Sequence, residues 1–218
     1  GIDVSVKFFP TREKQLLEVI YKEAQRMELD LCTLVCYPDF THPDALERER
    51  EIEQMKLDIQ LAATLGAKFI RVTAGQNHPG LQREQGICWA VEGFSRILDE
   101  AEKFGVILTY ENHTKGAPWK YWDFSQPRDV FLEILGNFID TPLKVCFDTA
   151  NSLVLGEDPI ELLKIVKEEV ATVHVFDIHA VNSFEPVLVG TGVSPIKEIL
   201  FILKHSGFDG WLSVEEAS

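Results

Sequence analysis

The feature that most constrains this chain is a regular alternation. Short, β-rich apolar segments are followed by longer amphipathic ones, from one end to the other. The strand candidates are 29–37 (LDLCTLVCY), 67–74 (AKFIRVTA), 105–112 (GVILTYEN), 143–150 (LKVCFDTA), 171–178 (ATVHVFDI) and 210–216 (GWLSVEE), with 2–6 (IDVSV) as a further fragment. Their near-continuous apolar character implies strands covered on both faces, hence a parallel sheet. Between them lie helical patterns. Leu16, Leu17, Ile20 and Ala24 fall on one stripe, and so do Ile52, Met55, Ile59 and Ala62. The segment 93–105 ends on Gly105, Ser125 and Ser194 stand as candidate caps before Pro127 and Pro195, and Asp158 precedes Pro159.

Strand–helix units of this kind build either an open doubly wound sheet or a closed (β/α)8 TIM barrel. A dinucleotide-binding sheet needs a glycine fingerprint in its first strand–helix turn. The Gly190-Thr191-Gly192 stretch comes late and lacks the third glycine, so the barrel is the expected fold. Only six good strands and one fragment are legible. The expectation is therefore a single barrel domain over residues 1–218, incomplete in this chain, with its first strand–helix unit and last helix missing through truncation or supplied by a partner.

Composition narrows the function classes. The 218 residues are 45% hydrophobic and carry a formal net charge of −14. A protein that grips nucleic acid through phosphates needs a basic face, and anionic lipid disfavours an acidic one, so neither nucleic acid nor membrane is an expected partner. No apolar run approaches the ~20 residues of a membrane span, and the N-terminus lacks a secretory pattern. A cytoplasmic protein with reduced cysteines is expected, since Cys32, Cys36, Cys88 and Cys146 show no paired zinc-clip spacing. A homo-oligomer is compatible with this reading.

The strand ends carry the chemistry. In a (β/α)8 barrel, catalytic groups stand at the C-terminal ends of strands. Alternation places Thr109, Glu111 and His113 on one face, Cys146 and Asp148 on another, then Thr172 and His174, then Ser213 and Glu215. Four consecutive strands thus each send one metal-capable side chain inward: Glu111, Asp148, His174 and Glu215. Clustered carboxylates are costly to bury unless a cation or protons neutralise them. Oxygen-rich ligation with one imidazole suits a divalent metal such as Mn²⁺, Mg²⁺, Co²⁺ or Zn²⁺, and the ligand set alone does not choose among them; Mn²⁺ is the ion expected. Arg71, on an inward face with Phe69 and Thr73, needs a carboxylate partner and is positioned to order one. His113 and Lys115 lie just past a strand end and suit contacts to substrate hydroxyls or phosphate. Asn151 suits a hydrogen bond to substrate or to its own turn. Parity turns Asp177 away from His174, and His179 lies in a loop. Trp119, Tyr121 and Trp122 form an aromatic loop that either stacks a sugar or anchors on its helix.

The ordered stretches YENH (110–113), FDTAN (147–151), VHVFD (173–177), LVGTG (188–192) and GWLSVEE (210–216), with LGAKFIRVTAGQ (65–76) and PDFTHPD (38–44) upstream, resemble the sugar phosphate isomerase/epimerase family of xylose-isomerase-like barrels. The resemblance implies Glu111, Asp148, His174 and Glu215 as metal ligands, with Glu216 a less favoured alternative to Glu215. It implies Glu111 and Glu215 as the acid/base pair. It also implies a keto-sugar or sugar phosphate as substrate, with proton abstraction beside the carbonyl through an enediolate. The chain departs from the family at Asn151, where many members have His, and at Thr191, where the loop usually carries Glu. It also lacks the arginine that follows the His174 strand in some epimerases. A lyase or dehydratase acting on a keto-sugar or inosose keeps the same metal and base. A partner-dependent or non-catalytic subunit is a third class. The related apurinic endonucleases need histidines that this chain lacks.

Overall fold

The structure, a computed structural model, describes residues 1–9, 12–116 and 118–215. Its elements are β1 (Ile2–Ser5), α1 (Lys14–Arg26), β2 (Leu31–Val35), α2 (Ala45–Thr64), β3 (Phe69–Val72), α3 (Arg83–Phe104), β4 (Ile107–Glu111), α4 (Arg128–Gly136), β5 (Lys144–Asp148), α5 (Pro159–Val166), β6 (Val170–Val175), α6 (Ile196–His205) and β7 (Trp211–Val214). A short 3-10 turn spans Asn151–Leu155. The seven strands pair in parallel in chain order, β1 to β7, as a nearly closed TIM-type barrel. Among the described residues β1 and β7 do not pair with each other.

Alternation along each strand divides the barrel into two environments. Leu34, Ile70, Leu108, Val145 and Val173 face outward into one apolar core with Ile59, Phe94, Ile134 and Leu163 of the helices. Burying such side chains contributes on the order of 1.5–3 kcal/mol each. The alternate residues turn inward, and they are mostly polar: Thr33, Arg71, Thr109, Glu111, Thr172 and His174 are all buried. The helices do the packing while the strands carry polar groups to the axis.

Local signals explain most element ends. Asp44 and Asp158 cap α2 and α5 by accepting from the N–H groups of Leu46 and Ile160. Gly105 closes α3 in the left-handed region, at φ 68°. Two expected caps are not used as caps. α4 and α6 start after Pro127 and Pro195 with no side-chain cap. Ser125 instead gives its N–H and hydroxyl to Asp123, which is buried and offers a stronger, charged acceptor. The N–H of Ser194 goes to Asp177. On α1, Leu17 and Ala24 are buried as expected, whereas Leu16 lies 43% exposed at the stripe's edge. No described helix is long and apolar enough to cross a membrane.

Candidate active site

Glu111, Asp148 and His174 close strands β4, β5 and β6 or stand one residue from the end, and Glu215 follows β7 directly. The shear of the barrel brings them together. One ligand atom from each of the four lies within 4.8 Å of every other. His174 is the centre of the group, with its Nδ1 2.7 Å from Glu111 Oε1 and 3.2 Å from Glu215 Oε2. Glu111, Asp148 and His174 are buried, while the Glu215 side chain is half exposed. Glu216 lies outside the described residues.

Each of these side chains is held by neighbours. Arg71 Nε stands 3.0 Å from Glu111 Oε2, and its Nη1 donates to the carbonyl of Cys36. The guanidinium lies 4.2 Å over the ring of Tyr37. Asp148 Oδ1 accepts from the N–H groups of Ala150 and Asn151, at 2.8 and 2.7 Å. Asn112 donates its amide to the carbonyl of Asp148 and accepts from its N–H. On the far side of the His174 ring, Nε2 faces Asp3 Oδ2 at 3.5 Å.

The electrostatics express the crowding of charge. Burial alone would raise the Glu111 carboxyl, but the charges of Arg71 and His174 outweigh it and hold the group at about 2. Burial drives the Asp148 carboxyl well above the usual range, and Glu111 and Glu215 push the same way. Burial opposes charge on His174, yet Cys146, Glu111 and Asp3 raise the imidazole well above its ordinary value. These shifts favour a neutral Asp148 carboxyl and a charged His174 ring, which would lessen the crowding of negative charge. A divalent cation would do the same work directly. The donor set fits one: three carboxylates and an imidazole within one coordination sphere, three of the four residues being buried.

Glu111, Asp148 and Glu215 form one side of a cavity of about 380 Å³ whose wall includes Tyr37, His113, Lys115, Trp119, Asn151 and Phe184. His113 is buried, and its Nδ1 pairs with Asp123 Oδ2 at 3.1 Å, so Nε2 is the ring nitrogen left for a ligand. Lys115 is exposed at the rim, 6.0 Å from the Trp122 ring. Asn151 lines the cavity while its side-chain oxygen accepts from Thr114. Trp119 both lines the cavity and donates to the carbonyl of Tyr37, so the aromatic loop is anchored and wall-forming at once. Asp177 points to the following loop and His179 is exposed.

Three contributors escaped sequence reasoning, Asp3, Tyr37 and Asp123, while Asn112 stood out at the end of β4 as a polar residue without an assigned role. Asn112 and Asp123 stand within or beside segments already singled out, YENH and the aromatic loop. Nothing local marks Asp3 or Tyr37.

The family model of the xylose isomerase-like TIM barrel matches residues 2–218. The chain belongs to that family. No curated protein matches it by sequence. Among solved structures it is similar to the IolI protein with a bound zinc atom (TM-score 0.82, 18% identity, 99% of this chain and 78% of that one). It is likewise similar to D-psicose 3-epimerase in the presence of D-fructose (TM-score 0.80, 16% identity, 99% and 74%). A D-tagatose 3-epimerase-like protein aligns at TM-score 0.79 with 19% identity over 93% of this chain and 76% of that one. At these identities the structural likeness speaks to the fold.

Proposed function

We propose that this family member is a metal-dependent isomerase or epimerase of a keto-sugar or sugar phosphate, working by proton abstraction beside the carbonyl. The observation that carries the reading is the convergence of Glu111, Asp148, His174 and Glu215 within 4.8 Å of one another, against a cavity of sugar size. These four residues would hold the ion, Mn²⁺ by preference. Bound there, a divalent cation supplies Lewis-acid polarisation of the substrate's carbonyl and neighbouring hydroxyl oxygens.

The remaining chemistry belongs to the chain. Glu111 and Glu215 approach from β4 and from the end of β7, and act as the base and acid on either side of the substrate carbon. Removal of the α-proton by one carboxylate gives an enediolate. Reprotonation of the same carbon from the opposite face epimerises it, and reprotonation of the adjacent carbon isomerises the sugar. Arg71, locked against Glu111, keeps that carboxylate anionic and fixed in direction. His113, oriented by Asp123, and Asn151 contact substrate hydroxyls, with Lys115 at the rim suited to a hydroxyl or phosphate. Trp119 and Tyr37 shield the pocket from water.

Incubation of the Mn²⁺-loaded protein with candidate ketoses and ketose phosphates in D₂O tests this. The expected result is deuterium at the carbon next to the carbonyl, with loss of exchange in Glu111→Gln. Loss of water from a substrate in place of exchange would move the reading to the lyase alternative, and neither outcome from loaded protein would overturn it.

A further inference from the structure

The strand register puts a thiol beside the carboxylate cluster. Glu111 of β4 pairs directly with Cys146 of β5, not with Asp148, which stands one pleat higher. Cys146 in turn pairs with Thr172 of β6. Adjacent strands lie about 4.8 Å apart, so inward side chains at the same level are neighbours. The Cys146 sulfur and one ligand atom each from Glu111 and His174 fall within 4.8 Å of one another, all three residues being buried. Cys146 is a free cysteine. Glu111 Oε2 is held by Arg71 Nε at 3.0 Å, and Glu111 Oε1 lies 2.7 Å from His174 Nδ1. A buried carboxylate, thiol and imidazole within one coordination sphere are donor types that divalent cations such as Zn²⁺ take.

We propose that Glu111, Cys146 and His174 form a second, softer ligand set for thiophilic divalent cations such as Zn²⁺ and Cd²⁺, one level deeper in the barrel than Asp148. This inference rests on the metal-centre reading above, because the two sets share Glu111 and His174. Hard, oxygen-preferring ions such as Mn²⁺ and Mg²⁺ take the carboxylate-rich outer set, and soft ions exchange Asp148 for sulfur. Binding displaces the thiol proton to solvent, and the resulting thiolate with the Glu111 carboxylate neutralises the dication. The two sets exclude each other, so a soft ion displaces a hard one from the centre.

The test uses chelator-stripped protein and the metals alone. Titration with Co²⁺ and with Cd²⁺ is followed by thiolate-to-metal charge-transfer absorption, and competition is followed by release of bound Mn²⁺ in electron paramagnetic resonance. The expected result is a charge-transfer band that saturates at one equivalent as Mn²⁺ is released one for one. The band disappears in Cys146→Ser while Mn²⁺ binding persists. It survives in Cys88→Ser, Cys32→Ser and Cys36→Ser, which leaves Cys146 as the source by elimination even if its own variant fails to fold. Metal uptake with no charge-transfer band, or a band lost in any of those three variants, overturns the thiol set and leaves the carboxylate centre standing. No uptake of any metal overturns both.

Discussion

Asn112 grips the backbone of Asp148 from both sides, donating to its carbonyl at 3.0 Å and accepting from its N–H at 2.8 Å. A side-chain amide here takes the place of a backbone ladder at the point where β4 and β5 stop pairing. It fixes the direction in which Asp148 leaves the strand. Both bonds are buried, so Asn112→Ala orphans two backbone groups and is expected to cost about 2 kcal/mol of stability. Denaturant unfolding measures that loss. The same variant should also weaken divalent-metal binding, because Asp148 loses its support.

Asp3 behind the imidazole makes a second prediction. Its Oδ2 is 3.5 Å from His174 Nε2, and the hydroxyls of Ser213 and Thr33 also reach the carboxylate. A carboxylate on the far nitrogen selects the tautomer that leaves Nδ1 free to ligate. Asp3→Asn should lower metal affinity about tenfold with the fold intact. Competition against a chromogenic chelator gives the affinity, and nitrogen-15 shifts of the ring report the tautomer.

Asp177 governs acid stability on the loop after β6. Burial would raise its carboxyl, but the N–H groups of Ser194, Gly192 and Gly190 donate to it and hold it below the ordinary carboxylate range. A carboxyl depressed in the folded state stabilises in full above its unfolded value, about 3.9, and loses that contribution as pH falls through the lower folded value. Asp177→Asn is therefore expected to cost about 2 kcal/mol at neutral pH, and the gap from the parent should close as pH drops below about 4. Unfolding curves at the two pH values decide it. Gly192 belongs to the same device, since a Cβ there would stand 2.3 Å from Asp177 Oδ1.

How far the sequence could be read depended on the range of each interaction. The strands and the convergence of the four inward side chains were legible because a period of two is a local property, and parity at a strand's end survives into the barrel. The family resemblance rested on the same short strand-end stretches. α3 was legible only in its second half. It runs from Arg83, across two glycines that read as breaks along the chain. In three dimensions those glycines are contact points: a Cβ on Gly86 would meet Phe124 at 2.3 Å, and one on Gly93 would meet Phe40 at 2.4 Å. Ser125 resembled a cap because its real acceptor, Asp123, was not visible as a buried charge. Asp3 and Tyr37 were silent because their roles come from packing against His174 and Arg71, far away in the chain.

The central claim is that Glu111, Asp148, His174 and Glu215 together hold one divalent cation. Mn²⁺ binding to chelator-stripped protein, measured by calorimetry beside Glu111→Gln and Asp148→Asn, tests it most directly. The account predicts one ion per chain for the parent and its loss in both variants, with the fold retained. No binding by the parent, or equal binding by the variants, would contradict it.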